Sequence, residues 1–233
     1  MARAVLAEDI ADQLRRDILS GRLEPGQPIK ERDRAVEMEV SRTPMREAVR
    51  ILAKEGLVTL RPARSPIVAN PSFAEIADWI AVLRALETLS GALACRNAGD
   101  GEIAAIRAMH ERIGGLYGRI DTLELFEIDM GLHVAIARAS HNAALAETHG
   151  AYLARLWRAR YLSARQRKSR ERVLGQHGRI VEALEARDEA ATRAAIDAHL
   201  DALAENVRAF YEGGGEAAQA APPLRAVPPR RSA

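Results

Sequence analysis

Apolar residues recur at helical spacing from the first turns of the chain. Ile10, Leu14, Ile18 and Leu19 mark one helix face, and Gly21 ends that helix in the position of a left-handed C-terminal residue. Pro25-Gly26 marks a turn. A second helix is predicted over residues 31–38 and a third over about 43–55. Pro44 fits the first turn of the third, and Ser41 or Thr43 can supply its N-cap oxygen. Two β-rich runs, 57–60 and 67–69, then flank the polar loop Arg61-Pro62-Ala63-Arg64-Ser65-Pro66, the pattern of a small hairpin.

Beyond Asn70-Pro71-Ser72, a linker, the period is helical throughout. Ser72 and Glu75 have capping-box spacing, and Ile76, Trp79, Ile80, Leu83, Leu86 and Leu93 form one stripe. Further helices are predicted over about 101–117, 122–138, 143–165, 170–186 and 188–210, with short breaks at Asp100-Gly101, Ser140-His141-Asn142 and Arg187-Asp188. The expected architecture is mainly α. A winged helix-turn-helix occupies 1–70 and an antiparallel bundle of about six helices occupies 71–211. The Gly-, Ala- and Pro-rich tail at 212–233 is expected to be disordered.

Composition narrows the function. The net charge is only +2, so any nucleic-acid binding must come from locally concentrated charge. Cys95 is the single cysteine, which excludes an intrachain disulfide and a thiolate zinc cluster. No run of about 18 apolar residues suggests a membrane span. Glu8, Asp9 and Asp12 in an N-terminus without an apolar core argue against a secretory signal, so a cytoplasmic location is expected.

Charge does concentrate between Ser41 and Arg64. Six cations (Arg42, Arg46, Arg50, Lys54, Arg61, Arg64) stand there against Glu47 and Glu55. Arg42, Arg46 and Arg50, spaced by four, share one helix face, while Ala48, Val49, Leu52 and Ala53 offer another for packing. That division suits a recognition helix in a major groove, with arginines reaching guanine edges. A solvated basic face paired with Glu47 and Glu55 is the plainer alternative.

A second constellation lies in the bundle. Asp129 and His133, four apart, project from one helix face, and His177 and His199 lie on two later helices. Three imidazoles and a carboxylate converging in a bundle suit a divalent transition metal: zinc foremost, with nickel or manganese as alternatives. The plainer reading takes each histidine as an ordinary hydrogen-bonded core or surface residue and Asp129–His133 as a simple helical pair. His110, His141 and His149 need not be ligands.

Residues 10–69 resemble the DNA-binding domain of the GntR family of bacterial regulators. The resemblance rests on Ile18-Leu19-Ser20-Gly21-Arg22-Leu23-Glu24-Pro25-Gly26, on Ser41-Arg42-Thr43-Pro44-Met45-Arg46-Glu47-Ala48 and on Glu55-Gly56-Leu57-Val58. It implies that Arg32, Arg42, Thr43 and Arg46 contact operator DNA, with Arg42 and Arg46 reading bases; Arg64 is the candidate wing contact. Two positions depart from the family. Glu39 stands where a glycine is usual, at a cost of roughly 1 kcal/mol if the backbone there has positive φ. Ser65-Pro66 follows Arg64 where the wing tip usually has glycine.

Residues 75–211 resemble the FCD sensor domain of the FadR subfamily, in its shorter, VanR-like arrangement. Leu83-Arg84-Ala85-Leu86-Glu87 matches its first-helix signature, and Asp129-x3-His133 with the two later histidines matches its metal-binding form. The resemblance implies Asp129, His133, His177 and His199 as metal ligands. It also implies a small carboxylate effector, such as a sugar acid, organic acid or amino acid. Arg84 is the candidate clamp for that carboxylate, ahead of Arg158 and Arg160, although a salt bridge to Glu87 or to a glutamate on another helix would equally explain it. The expected function is a homodimeric, operator-binding repressor under carboxylate control. The alternatives are a regulator that senses the metal itself, a metalloenzyme, or a structural metal site.

Overall fold

The structure is a computed structural model that describes residues 2–166 and 170–212. The N-terminal unit holds α1 (Ala2–Ser20), α2 (Glu31–Glu37), α3 (Arg42–Lys54) and the hairpin β1 (Val58–Arg61)–β2 (Arg64–Val68). The strands pair antiparallel, with Val58 opposite Val68 and Thr59 opposite Ile67. The chain before α2 lines the other edge of β2, where Ile29 N–H donates to Pro66 C=O at 2.8 Å. Ile10, Leu14 and Ile18 of α1 close over Met45, Val49 and Leu52 of α3, with Leu23, Ile29 and Val68 filling between them. Gly21 has φ +83° after α1, as its place in the sequence predicts.

The hairpin is tighter than the sequence suggested. Its strands reach Arg61 and Arg64, so the tip is Pro62-Ala63 alone. Ala63 takes φ 53°, and Arg61 reaches across to donate twice to Ser65 C=O, at 2.9 and 2.7 Å. These two features replace the wider loop expected from its proline content. Ser41 occupies the N-cap position of α3, but its side chain accepts no capping hydrogen bond.

The second unit is α4 (Phe73–Asn97), α5 (Asp100–Leu116), α6 (Thr122–Ala139), α7 (Ala143–Gln166), α8 (Arg170–Glu185) and α9 (Glu189–Glu212). The capping box opens α4: Ser72 N–H donates to Glu75 Oε2 at 2.8 Å, and Ser72 Oγ accepts from Glu75 N–H at 3.3 Å. Asp121 Oδ2 caps α6 by accepting from Leu123 N–H at 2.8 Å. Gly91 lets α4 and α9 approach closely, since a Cβ there would lie 2.6 Å from Ile196 Cδ1 and 2.7 Å from Thr192 Cγ2. The tail predicted to be disordered lies, after Glu212, outside the described residues.

The two units meet along α1. Arg16 pairs with Glu127 of α6 at 2.6 Å, and Arg15 donates from Nε and Nη2 to the two Glu55 oxygens while lying over the Trp157 ring of α7. Leu19, on the same helix, sits in the core of the bundle. Gly56 closes α3 with φ +76°, and a Cβ there would strike Arg155 Cγ at 2.6 Å.

Glu39, in the turn between α2 and α3, has φ 54°, the left-handed conformation that glycine adopts without steric cost. Replacing it by glycine removes that strain but adds freedom to the unfolded chain. Glu39→Gly should therefore stabilise by about 0.5–1 kcal/mol, read as a raised urea midpoint. An unchanged or lowered midpoint would show that the strain at Glu39 does not exceed the unfolded-chain freedom that glycine adds.

Candidate metal centre and nucleic-acid interface

Each imidazole of the bundle cluster sits on an apolar helical stripe that turns it inward. On α6 the buried series runs Phe126, Met130, His133, Ala137, and on α9 it runs Thr192, Ile196, His199, Leu203. His177 of α8 is fully buried beside them. The three ring centroids lie 4.8–5.4 Å apart, and one ligating nitrogen from each falls within 4.8 Å of the others. Asp129, one turn before His133, brings Oδ1 to 3.1 Å from His177 Nδ1.

Neighbouring groups orient the rings. Gln176 Oε1 lies 3.4 Å from His199 Nδ1 and Glu87 Oε2 lies 3.2 Å from His133 Nδ1, so each oxygen can accept that N–H and leave Nε2 with its lone pair. Burial, reinforced by the neighbouring His177 and His133, pushes the His199 imidazolium well below its ordinary pKa. It is therefore held neutral, the form that binds metals. His199 Nε2 is buried and makes no hydrogen bond among the described residues. A buried lone pair without a donor, two further imidazoles within reach and a carboxylate beside them fit a divalent transition metal.

Behind His133 lies a charged group that the sequence reading did not assemble. Glu87 is buried in α4, with Oε1 3.5 Å from both His149 Nε2 and Arg160 Nη1. Burial pushes its carboxyl up, but His133, His149 and Arg160 together outweigh burial and hold it well below the usual carboxylate range. Arg160 also donates from Nη2 to His133 Nε2 at 2.8 Å. A signal for these residues was present: His149, Leu153, Leu156 and Arg160 follow i, i+4, i+7, i+11 along α7 and are all buried. Glu87 likewise continues the stripe Ile76, Ile80, Leu83.

The structure turns Arg84 elsewhere. Its guanidinium engages Asp197 and Asp201 of α9, the salt-bridge alternative, whereas Arg160 is the arginine at the cluster. His141 lies in the exposed turn after α6, 2.8 Å from Glu102.

In the N-terminal unit, Arg42, Thr43, Arg46 and Arg50 are all exposed on α3, while Met45, Ala48, Val49 and Leu52 are buried on its other side. Arg50 pairs with Glu47 at 2.7 Å and Arg46 lies 3.5 Å from Glu31. Such exposed pairs are worth about 1 kcal/mol or less and yield readily to a phosphate or base. Arg32 on α2 and Arg64 at the start of β2 are exposed too, and line a cleft with Lys30 and Arg61 between α2 and the wing.

The chain matches the model of the bacterial regulatory proteins of the gntR family over residues 6–68 and that of the FCD domain over residues 78–202. It is 30% identical over 197 residues to the HTH-type transcriptional repressor RspR of Escherichia coli (strain K12), covering 84% of this chain and 86% of that protein. It is 29% identical over 186 residues to the Nta operon transcriptional regulator of Aminobacter aminovorans, covering 79% and 88%. Among solved structures, E. coli McbR/YncC superposes with a TM-score of 0.74 at 20% identity, covering 90% of this chain and 99% of that one. A putative GntR regulator from Rhodococcus sp. RHA1 gives 0.70 at 22% identity, covering 88% and 98%. The chain is therefore a DNA-binding transcription regulator rather than an enzyme, a member of the GntR family with a C-terminal FCD domain.

Proposed function

We propose that this regulator is a homodimeric repressor whose hold on its operator is set by a small carboxylate bound at a divalent metal in the bundle. The observation that carries the reading is the meeting of His133, His177 and His199 within reach of one ion, with Asp129 against His177 and a buried arginine, Arg160, against His133. Asp129 and the three imidazoles would hold the ion, zinc being the best match to nitrogen-rich ligation. The metal would supply a positive centre that attracts carboxylate oxygens. Arg160 now donates to the lone pair of His133 that such an ion requires. With a metal held there, the Arg160 guanidinium would have N–H groups to offer an anion, which favours Arg160 over Arg84 as the clamp.

The junction supplies a route from this site to DNA. Glu127 lies two residues before Asp129 on α6 and pairs with Arg16 of α1, which packs directly on recognition helix α3. Phe126, on the same turn, meets Trp157 edge-on at 6.2 Å, and Trp157 carries Arg15 on its face. A ligand that prefers one setting of α6 would thereby bias the setting of α1 and α3. RspR, whose name describes a repressor, supports the sign of the control. The contact of Arg160 with His133 favours one further reading, in which the ion alone would be the signal, since His133 Nε2 cannot serve a metal and accept from Arg160 at once.

Dimerisation is supported by α4. Ala81, Val82, Ala85 and Leu89 are exposed along one helix face, with Val82 and Leu89 40% and 42% accessible. A second copy pairing there would cover these side chains and present two recognition helices to a two-fold operator.

Operator titrations with chelator, with zinc, and with zinc plus small carboxylates test the control. An affinity that shifts only when acid accompanies zinc supports the proposal, a shift with zinc alone favours metal sensing, and no shift under any condition rejects both. Arg46→Ala should weaken operator binding by about 1–3 kcal/mol and relax base preference; undiminished, equally selective binding would remove Arg46 as a reader. His133→Ala should lower bound metal in elemental analysis, and equal metal content would exclude it as a ligand. Val82→Arg combined with Leu89→Arg should move the solution mass from two subunits to one, whereas a mass unchanged from wild type would place the interface elsewhere.

A further inference from the structure

The wing turns without glycine. Its tip is Pro62-Ala63, and Ala63 takes φ 53°, a conformation that L side chains disfavour. Thr59 pairs with Ile67 and Arg61 with Arg64, which leaves Leu60 facing both Ser65 and Pro66, so β2 carries a bulge. A bulge interrupts the ladder, and Pro66 has no N–H to restore it. One side chain closes this gap. Arg61 donates from Nε at 2.9 Å and from Nη2 at 2.7 Å to the same acceptor, Ser65 C=O. At the next residue Pro66 C=O accepts from Ile29 N–H at 2.8 Å, which ties β2 to the body of the unit.

The two arginines that flank the tip are committed differently. Arg61 is half-buried and places one edge of its guanidinium on the chain itself. Arg64 is exposed, and among the described residues its guanidinium has no carboxylate or carbonyl partner. We infer that Arg61 is a positioning residue: its grip on Ser65 C=O sets the tip so that Arg64 meets DNA, while Arg61 itself does not touch the duplex. The inference takes Arg64 as the contact of the wing. Two N–H groups of one planar guanidinium converging on one oxygen fix direction as well as distance. A tip free to move would lose conformational freedom when Arg64 seats on a phosphate, and holding it beforehand removes that cost. Charge alone gives the opposite expectation, that both cations neutralise phosphates.

A double-mutant cycle in the full-length protein separates the two: wild type, Arg61→Ala, Arg64→Ala and the double variant. The probe is a duplex selected by the wild-type protein from a random-sequence pool, titrated over a range of salt. Arg64→Ala should weaken binding about fivefold or more and reduce the salt slope by about 0.9 for each wing engaged. Arg61→Ala should weaken binding severalfold when Arg64 is present but only about twofold or less when it is absent. The double variant should keep the salt slope of Arg64→Ala. Losses that add, with a further fall of slope in the double variant, would make Arg61 a contact in its own right and overturn the inference. Equal losses in both backgrounds without that fall would show a merely structural defect and overturn it as well. Wild-type binding by Arg61→Ala, while Arg64→Ala is weakened, would show a tip that needs no such hold. Wild-type binding by Arg64→Ala would remove Arg64 from the interface, and the positioning role of Arg61 with it.

Discussion

Ionic side chains leave water only when they satisfy one another, and that condition organises the sensor bundle. Glu87, Arg160, His133, His149, His177 and His199 are all buried there. Singly, any ionised member would be costly to bury; together, the carboxylate balances the guanidinium and orients an imidazole. The surrounding leucines and isoleucines provide the driving force for packing. The polar group restricts which rotation of each helix is acceptable, because a small turn of α4, α6 or α7 would strand a charge. Close approach at Gly91 brings α4 and α9 into a register that places His199 beside the other rings.

The same arrangement would let the proposed site both hold an ion and respond to it. Gln176 and Glu87 each face the Nδ1 side of an imidazole, which leaves Nε2 directed at the shared space. The nitrogen of His133 needed by a metal is the one Arg160 already contacts. Arg160 can therefore act as a two-position element, its place set by what occupies the cluster.

The proposed transmission would depend on α1 serving two cores at once. Its Ile10, Leu14 and Ile18 belong to the DNA-binding unit, while Leu19 is packed in the bundle. Arg15 and Arg16 strengthen that sharing through Glu55, Trp157 and Glu127. Apolar contact supplies the adhesion; the ionic and cation–π contacts are part-exposed, hence individually weak and adjustable. An adjustable junction beside a rigid core would suit the proposed control, in which the setting of α1 and α3 follows that of α6.

Local chemistry was legible in the sequence because it acts over three or four residues. Period 3.6 identified the helices, Ser72 and Glu75 gave a cap, Gly21 gave a terminus, and the arginine spacing gave the exposed face of α3. The glycine-like position of Glu39 was legible as well, and its φ of 54° follows. What meets across the bundle was not legible. Glu87 and His133 are 46 residues apart, and Arg160 is 27 beyond His133, so their contact depends on how whole helices rotate and slide against one another. Arg84 and Glu87 sit within one turn of each other, yet one faces acids on α9 and the other the buried cluster. The sequence by itself therefore determined the elements, their faces and the residue types able to hold DNA and metal. Tertiary structure alone decided which arginine joined the histidines, because long-range packing, not local spacing, chooses the partners of a buried charge.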